Sequence, residues 1–152
     1  MNLNEEVEIL KGVPIFSKIE LAKLKLIAFT GERVTFNPGQ EVCHQGEPGD
    51  AMYVILGGVA DVLIDTPAGQ IRVAQLSKNG FFGETAILCE APRNATIKAS
   101  ETLLTLRINK DMFYRLVSEF PTMAVEMMRE LAHRVEDSNQ KLQEAMANNK
   151  AA

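Results

Sequence analysis

The spacing of apolar residues changes twice along the chain, which divides it into helical, extended and again helical parts. In residues 21–28 an apolar side chain recurs every third or fourth position, which predicts an amphipathic helix. Ser17 and Glu20 stand three residues apart before this run, and that capping-box spacing predicts where the helix begins. Gly12 and Pro14 separate it from an earlier helix.

From Val34 the apolar runs become short and alternate with turn signals. Turns such as Asn37-Pro38-Gly39 and Lys78-Asn79-Gly80 recur roughly every eight to twelve residues, which is typical of strands joined by tight connections. We expect strands at residues 34–36, 41–44, 51–56, 59–64, 71–76, 95–99 and 103–108. Many short antiparallel strands of this kind indicate a jelly roll or a small barrel.

One segment interrupts the strands, and the helical pattern returns after them. Residues 83–88 suit a single short helix, which Pro92 prevents from continuing. Asn109 is the predicted N-cap of the next helix, and Pro121 is the predicted start of the last one. The predicted organisation is one domain over residues 1–152, with N-terminal helices at 1–30, a β-barrel at 33–108 that includes the segment 82–96, and C-terminal helices at 110–147.

Composition narrows the classes of function. The chain has 46% apolar and 24% charged residues and a net charge of −4, which is typical of a globular protein and unfavourable for direct nucleic-acid binding. Without a signal-like N-terminus or a membrane-length apolar run, a cytoplasmic location is expected. Cys43, Cys89, His44 and His133 are scattered, so no metal site is expected, and both thiols are expected to be at least half-buried.

The segment with the short helix carries the candidate chemistry. Gly83 precedes a helix N-terminus, where unpaired amide groups and the helix dipole attract anions. Arg93 follows nine residues after Glu84, and its planar guanidinium matches two oxygens of one phosphate. Because a carboxylate repels phosphate, Glu84 suggests a ligand that also offers a hydroxyl. The alternative is an exposed Glu84 paired with Arg93 on the surface, which would contribute little.

Two stretches resemble the cyclic nucleotide-binding domain family. Phe82-Gly83-Glu84-Thr85-Ala86-Ile87 and, after five residues, Arg93-Asn94-Ala95-Thr96-Ile97-Lys98-Ala99 are similar to its phosphate-binding cassette. The stretch Val42-Cys43-His44-Gln45-Gly46-Glu47-Pro48-Gly49, followed by Met52-Tyr53-Val54-Ile55 and Gly58, resembles its other glycine-marked motif. The resemblance implies a mainly β, α+β fold, an eight-stranded antiparallel jelly-roll barrel with N-terminal helices, a short helix in the cassette and C-terminal helices.

The resemblance also implies the roles of individual residues. Arg93 would bind the exocyclic phosphate oxygens and Glu84 the ribose 2′-hydroxyl, while Gly83 would let the backbone approach the ribose. The amides of Thr85 and Ala86 would help to hold the phosphate. The remaining candidates for ligand contact are Val73 near the base, Phe82, Asn94 and Ala95.

Asn94 departs from the family pattern, which usually has a small residue after the arginine. Its amide can donate to phosphate or accept from a purine edge, so the base preference is less strongly indicated than binding itself. We expect cAMP as the ligand, with cGMP as the alternative. No other cofactor and no catalytic residue are expected.

The C-terminal helix is the expected output element. Met128, Leu131, Val135, Ser138, Leu142 and Ala145 alternate at intervals of three and four residues, which suits either packing on the barrel or a dimer seam. The favoured hypothesis is a cyclic-nucleotide sensor that relays binding through this helix to a second copy or to a separate effector protein. The alternatives are a regulatory domain of a larger effector and, least favoured, a jelly-roll enzyme.

Overall fold

The N-terminal part of the chain is helical, as predicted. The protein is described by a computed structural model that covers residues 2–151, with side chains up to residue 149. Helix α1 spans Leu3–Lys11, a 3₁₀ turn spans Pro14–Phe16, and helix α2 spans Leu21–Thr30. The predicted capping box is wrong, because Ser17 ends the 3₁₀ turn and its hydroxyl donates to the Pro14 carbonyl at 2.9 Å, which leaves Glu20 at the start of α2.

The extended part contains eight strands in two four-stranded antiparallel sheets. The strands are β1 Glu32–Phe36, β2 Glu41–Cys43, β3 Ala51–Gly57, β4 Val59–Thr66, β5 Gly69–Ser77, β6 Phe81–Phe82, β7 Thr96–Ala99 and β8 Leu103–Asn109. One sheet has the order β1-β8-β3-β6 and the other the order β2-β7-β4-β5. The predicted mainly β jelly-roll fold with flanking helices is confirmed, but the two sheets do not close into a barrel. Strand β6 was not predicted, since two residues are too short for a periodic signal.

The hydrophobic core has two compartments that share strand β3. Its even-numbered residues, Met52, Val54 and Leu56, pack with the helices, and its odd-numbered residues Tyr53 and Ile55 pack between the sheets. Side chains alternate between the faces of a strand, so a strand covered on both faces is apolar at every position. This explains why residues 51–56 are all buried.

The chain between β6 and β7 contains the short helix that the sequence predicts, α3 at Glu84–Leu88. Two further helices follow the last strand, α4 at Lys110–Glu119 and α5 at Pro121–Ala151. The Asn109 side chain accepts from the Met112 amide at 2.9 Å, which confirms the predicted N-cap, and α5 begins at Pro121 as predicted. Within residues 2–151, no helix combines the length and the apolar character needed to span a membrane.

Candidate functional site

A cavity of about 950 Å³ lies between the second sheet, the segment around α3 and the middle of α5. Apolar side chains of β4 and β5, Val62, Ile64, Val73 and Leu76, form one wall. All nine residues that the sequence analysis nominated for ligand contact line this cavity: Val73, Phe82, Gly83, Glu84, Thr85, Ala86, Arg93, Asn94 and Ala95. The fold therefore brings the whole predicted set to one place.

Gly83 forms the entry to helix α3 and has a left-handed backbone, with φ of +93°. A Cβ atom there would lie 2.8 Å from the Ala51 carbonyl oxygen and 2.7 Å from Nη1 of Arg93. Only glycine combines this conformation with so little space. Helix α3 can therefore begin directly against strand β3, and Thr85 and Ala86 of its first turn line the cavity.

Arg93 is nearly buried, at 7% exposure, and the backbone fixes its orientation. Its Nη1 donates to the Gly83 carbonyl at 3.0 Å, and its Nη2 donates to the Ala51 carbonyl at 2.8 Å. These bonds use two of the five N–H groups of a guanidinium. The geometry leaves Nε and the second N–H of each terminal nitrogen to serve a ligand.

The two glycine-marked motifs of the sequence meet at Arg93. Its amide donates to the Glu47 carbonyl at 2.8 Å, and the Gly46 amide donates to the Arg93 carbonyl at 2.8 Å. A Cβ atom on Gly49 would overlap the guanidinium and lie 2.8 Å from the Ala86 Cβ. Gly49 is not among the predicted site residues, although it lies in one of the two motifs, because only the folded chain shows what it faces.

Glu84 is almost completely buried at the start of α3, with 3% exposure. Burial raises the pKa of its carboxyl above the ordinary value, while the positive charge of Arg134 and then that of Arg93 oppose this shift. Arg134 lies closest, with 3.3 Å between its Nη1 and Oε1 of Glu84. The alternative of an exposed Glu84–Arg93 pair on the surface is wrong, since both side chains are buried and Arg93 donates to carbonyl oxygens.

Arg134 is the main site residue that the sequence analysis missed. It comes from α5, fifty positions after Glu84, and its Nη2 also donates to the Phe81 carbonyl at 2.7 Å. Its guanidinium carbon lies 4.6 Å from the centre of the Phe81 ring, and its Nε lies 3.5 Å from Glu130. The sequence shows only the Glu130–Arg134 spacing typical of a helix surface, so nothing in it links Arg134 to the cassette.

The other nominated residues have varied surroundings. Phe82 lines the cavity but is also stacked on Tyr53 with 5.2 Å between ring centres, so it supports the wall of the site. Asn94 is exposed, and Val73 is partly exposed on β5, an edge strand. Of the two thiols, Cys43 is half-buried at the cavity, but Cys89 is exposed, because it ends α3 at the surface, and its predicted burial is wrong.

Comparisons with known proteins give the family of the chain. The sequence profile described as "Cyclic nucleotide-binding domain" matches residues 33–120. A cAMP-dependent protein kinase regulatory subunit of Mucor circinelloides is 39% identical over 71% of this chain and 25% of its own length. A cyclic nucleotide-gated potassium channel of Mesorhizobium japonicum is 32% identical over 82% of this chain and 33% of its own. The chain thus spans a quarter to a third of these relatives.

Solved structures support the fold independently. The catabolite activator protein of Thermus thermophilus has a TM-score of 0.78, with 24% identity over 86% of this chain and 62% of that one. The regulatory domain of Toxoplasma gondii PKA, solved with cAMP, has a TM-score of 0.75, with 22% identity over 86% of this chain and 50% of that one. The profile match covers more than half of the chain and includes both glycine-marked motifs. The chain therefore belongs to the cyclic nucleotide-binding domain family.

Proposed function

We propose that the cavity binds cAMP and that Arg93 and Glu84 divide the ligand between them. The observation that carries this proposal is the convergence of a buried guanidinium and a buried carboxylate on one cavity. Arg93 binds the cyclic phosphate through the N–H groups that the carbonyl bonds leave. The amides of Thr85 and Ala86 add further donors at the start of α3.

Glu84 accepts a hydrogen bond from the ribose 2′-hydroxyl. An ionised carboxylate has about four acceptor sites, so Glu84 can bind this hydroxyl while it contacts Arg134. Gly83 allows the sugar to approach the backbone, and Val73, Phe82 and Ala95 supply apolar wall around the nucleoside. This division explains why a phosphate site contains a negatively charged side chain.

The proposed preference for cAMP over cGMP rests on the relatives, because the apolar wall of the cavity suits either purine base. The relative at 39% identity is named a cAMP-dependent kinase regulatory subunit, and a cGMP-dependent kinase of Eimeria tenella is 32% identical. Val62, Ile64 and Val73 present apolar surface to a base, which suits the flat face of a purine. Asn94 is the polar side chain at the edge that can contact the base.

We further propose that ligand binding is relayed through α5 to a partner. Arg134 connects the cassette to α5, because it contacts Glu84 and Phe81 at one end and Glu130 of its own helix at the other. A ligand can shift α5 only by interacting differently with its alternative positions. The ribose 2′-hydroxyl binds the same carboxylate that Arg134 of α5 contacts. The ligand therefore affects this contact and can favour one position of α5 over another.

Calorimetric titration with cAMP and cGMP tests the binding proposal. At a ligand concentration of a hundred times Kd, the free energy of unfolding should rise by about 2.7 kcal/mol. Tighter binding of cAMP is expected, and Arg93→Lys should weaken it, because an ammonium cannot form the planar fork of hydrogen bonds. Heat signals and melting temperatures that millimolar nucleotide leaves unchanged would exclude binding, whereas equal affinity for both ligands would exclude the base preference only.

Removal of the hydroxyl tests the role of Glu84. Glu84→Ala and 2′-deoxy-cAMP should each weaken binding, and the two penalties together should be smaller than their sum. Fully additive penalties would show that Glu84 does not bind the 2′-hydroxyl.

Hydrogen exchange tests the relay. Saturating cAMP should change the protection of residues 82–96 and of residues 126–146 in α5, and Arg134→Gln should abolish the second change while keeping the first. Arg129→Gln is the matched control, since Arg129 pairs with Glu126 on the same helix. A ligand response confined to residues 82–96 in the parent chain would refute the relay but not the binding.

Three further expectations remain predictions. These are the cytoplasmic location, the lack of catalytic activity and the lack of a metal or another cofactor. The match to a cyclic nucleotide-binding domain rather than to a catalytic domain supports the second of them. The relatives named above are longer than this chain, so the alternative of a regulatory domain within a longer effector also stays a proposal. The binding experiments above apply to it equally.

A further inference from the structure

Helix α2 has an apolar face that the domain leaves exposed. On one side of this helix Leu24, Ile27 and Ala28 are buried in the core. On the other side Phe29 is 77% exposed and Leu26 is 55% exposed. A helix that is apolar all round is normally buried all round, so packing within this chain does not account for these two side chains.

The two exposed side chains belong to a continuous stripe. Ala22 is also exposed, and together with Leu26 and Phe29 it occupies positions i, i+4 and i+7 of the helix, which lie on one face. We call these three residues the α2 stripe. At about 100° per residue, Lys25 lies about 60° to one side of the stripe and Lys23 about 100° to the other. An exposed lysine therefore borders the stripe on each side.

The border of the α2 stripe is positively charged. Lys23 and Lys25 are the only charged residues between Glu20 and Glu32, and neither forms an ion pair with another residue that the structure describes. Of the two flanking carboxylates, Glu32 pairs with Arg107 at 3.4 Å, and Glu20 precedes the first turn of α2. The stripe thus has two unpaired positive charges beside it, although the whole chain has a net charge of −4.

The polar groups at the C-terminal end of α2 already have partners within the helix. Polar groups without a hydrogen bond are costly to remove from water. The hydroxyl of Thr30 donates to the Leu26 carbonyl at 2.8 Å, and the Gly31 amide donates to the Ile27 carbonyl at 3.0 Å. Both donors therefore keep their hydrogen bonds when the stripe leaves water.

We propose that the α2 stripe adsorbs on an anionic lipid surface, with Leu26 and Phe29 inserted at the level of the headgroups. An apolar helix face with lysines beside it is typical of helices that lie in the plane of a membrane interface. Lysine side chains lay their methylene groups along apolar surface and direct the ammonium group outward. Lys23 and Lys25 therefore contact the negatively charged headgroups while the stripe enters the interface.

The dimensions and the charge of the stripe favour lipid over a protein partner. From residue 22 to residue 29 the stripe extends for about 10 Å at 1.5 Å per residue, whereas a stable protein interface buries about 800 Å² on each side. Pairing of two copies through the stripe would bring the lysines of both chains together, which is unfavourable. A fluid lipid surface needs no matching shape and offers negative charge on both sides of the stripe.

The proposal does not rest on nucleotide binding. No residue of α2 is among those that line the cavity, so either proposal can fail without the other.

Vesicle sedimentation tests the adsorption. The chain should bind phosphatidylcholine vesicles that contain about one-third phosphatidylserine, and it should bind pure phosphatidylcholine vesicles much more weakly. Lys23→Gln combined with Lys25→Gln should weaken binding about 30-fold, and Phe29→Ser should weaken it about tenfold or more. Ile71→Ser is the matched control, because Ile71 is 48% exposed on β5, and it should leave binding unchanged. Circular dichroism would check that these surface variants are folded.

Fluorescence tests which face of the chain enters the lipid. The chain has no tryptophan, so Phe29→Trp places a single reporter in the stripe. With anionic vesicles its emission should shift to shorter wavelength, and lipids with brominated acyl chains should quench it. Ile71→Trp is the control, whose emission should stay that of an indole in water.

Three results would overturn the proposal. The first is a parent chain that does not bind the anionic vesicles, which would leave a protein as the only kind of partner for the stripe. The second is vesicle binding that the paired lysine substitutions and Phe29→Ser leave unchanged. The third is an equal spectral shift for Phe29→Trp and Ile71→Trp, which would show that the stripe is not the face that enters the lipid.

Discussion

Gly49→Ala is the change that most directly tests whether the orientation of Arg93 controls ligand binding. The added methyl would overlap the guanidinium and lie 2.8 Å from the Ala86 Cβ. Ala86 belongs to α3 and cannot move without its helix, whereas the Arg93 side chain can rotate. We therefore expect Arg93 to leave the carbonyl oxygens of Gly83 and Ala51.

The loss of affinity follows from the hydrogen bonds to the ligand that the displaced guanidinium can no longer form. A hydrogen bond with a charged donor contributes about 1.5–3 kcal/mol. Loss of one such bond in the complex lowers affinity about 10- to 100-fold, at about 1.4 kcal/mol for each factor of ten. The fold should also lose stability, because crowding of this kind costs about 1–3 kcal/mol and Arg93 leaves two carbonyl oxygens, while replacement of glycine by alanine recovers about 0.4–1 kcal/mol through the unfolded chain.

Gly57→Ala is the matched control. A Cβ atom on Gly57 would meet nothing closer than the Leu104 Cδ1 at 3.6 Å, and its φ is not in the left-handed region. Calorimetry should give parental cAMP affinity for Gly57→Ala and the stated loss for Gly49→Ala, with melting curves to show that both variants are folded. A folded Gly49→Ala variant that binds as tightly as the control would refute the role of the Arg93 orientation.

Three other substitutions test the fold and the electrostatics. Burial raises the pKa of Glu84 in the folded state above its value in the unfolded state, so ionisation of this carboxyl opposes folding. The protonated carboxyl contributes stability below about pH 4, and this contribution is lost as pH rises through the folded-state pKa. Glu84→Gln should therefore raise the ligand-free unfolding free energy at pH 7 but not at pH 4 in urea titrations, and an equal gain at both pH values would contradict this. Asn109→Ala removes the N-cap of α4 and should cost about 1 kcal/mol, which lowers the melting temperature by about 2–4 °C; no change would show that the cap does not stabilise the chain. Phe16→Ala empties a fully buried position and should cost about 3–5 kcal/mol, and a cost below 1 kcal/mol in the same titrations would mean that this region is loosely packed.

Local signals in the sequence were sufficient for most of the elements and for the ligand-contact set. Periodicity separates helices from strands because each has its own side-chain repeat, and Asn109 and Pro121 start their helices for reasons contained within a few residues. The cassette is recognisable for the same cause, since Gly83, Glu84 and Arg93 lie within eleven positions. Where a local signal competed with a neighbouring turn, as at Ser17, the prediction failed.

Only the tertiary structure decided which distant residues act on the cassette. Gly49 lies against the Arg93 guanidinium and Arg134 contacts Glu84, although neither relation appears in any local pattern, because strand pairing and helix packing set these distances. Helix packing also separates the face of α5 that is turned to the domain from the exposed face, whereas the sequence shows a single alternation of apolar residues. Leu131 lines the cavity whereas Met128 is exposed, because the packing of α5 on α4 and on the 3₁₀ turn determines which side of the helix faces the domain.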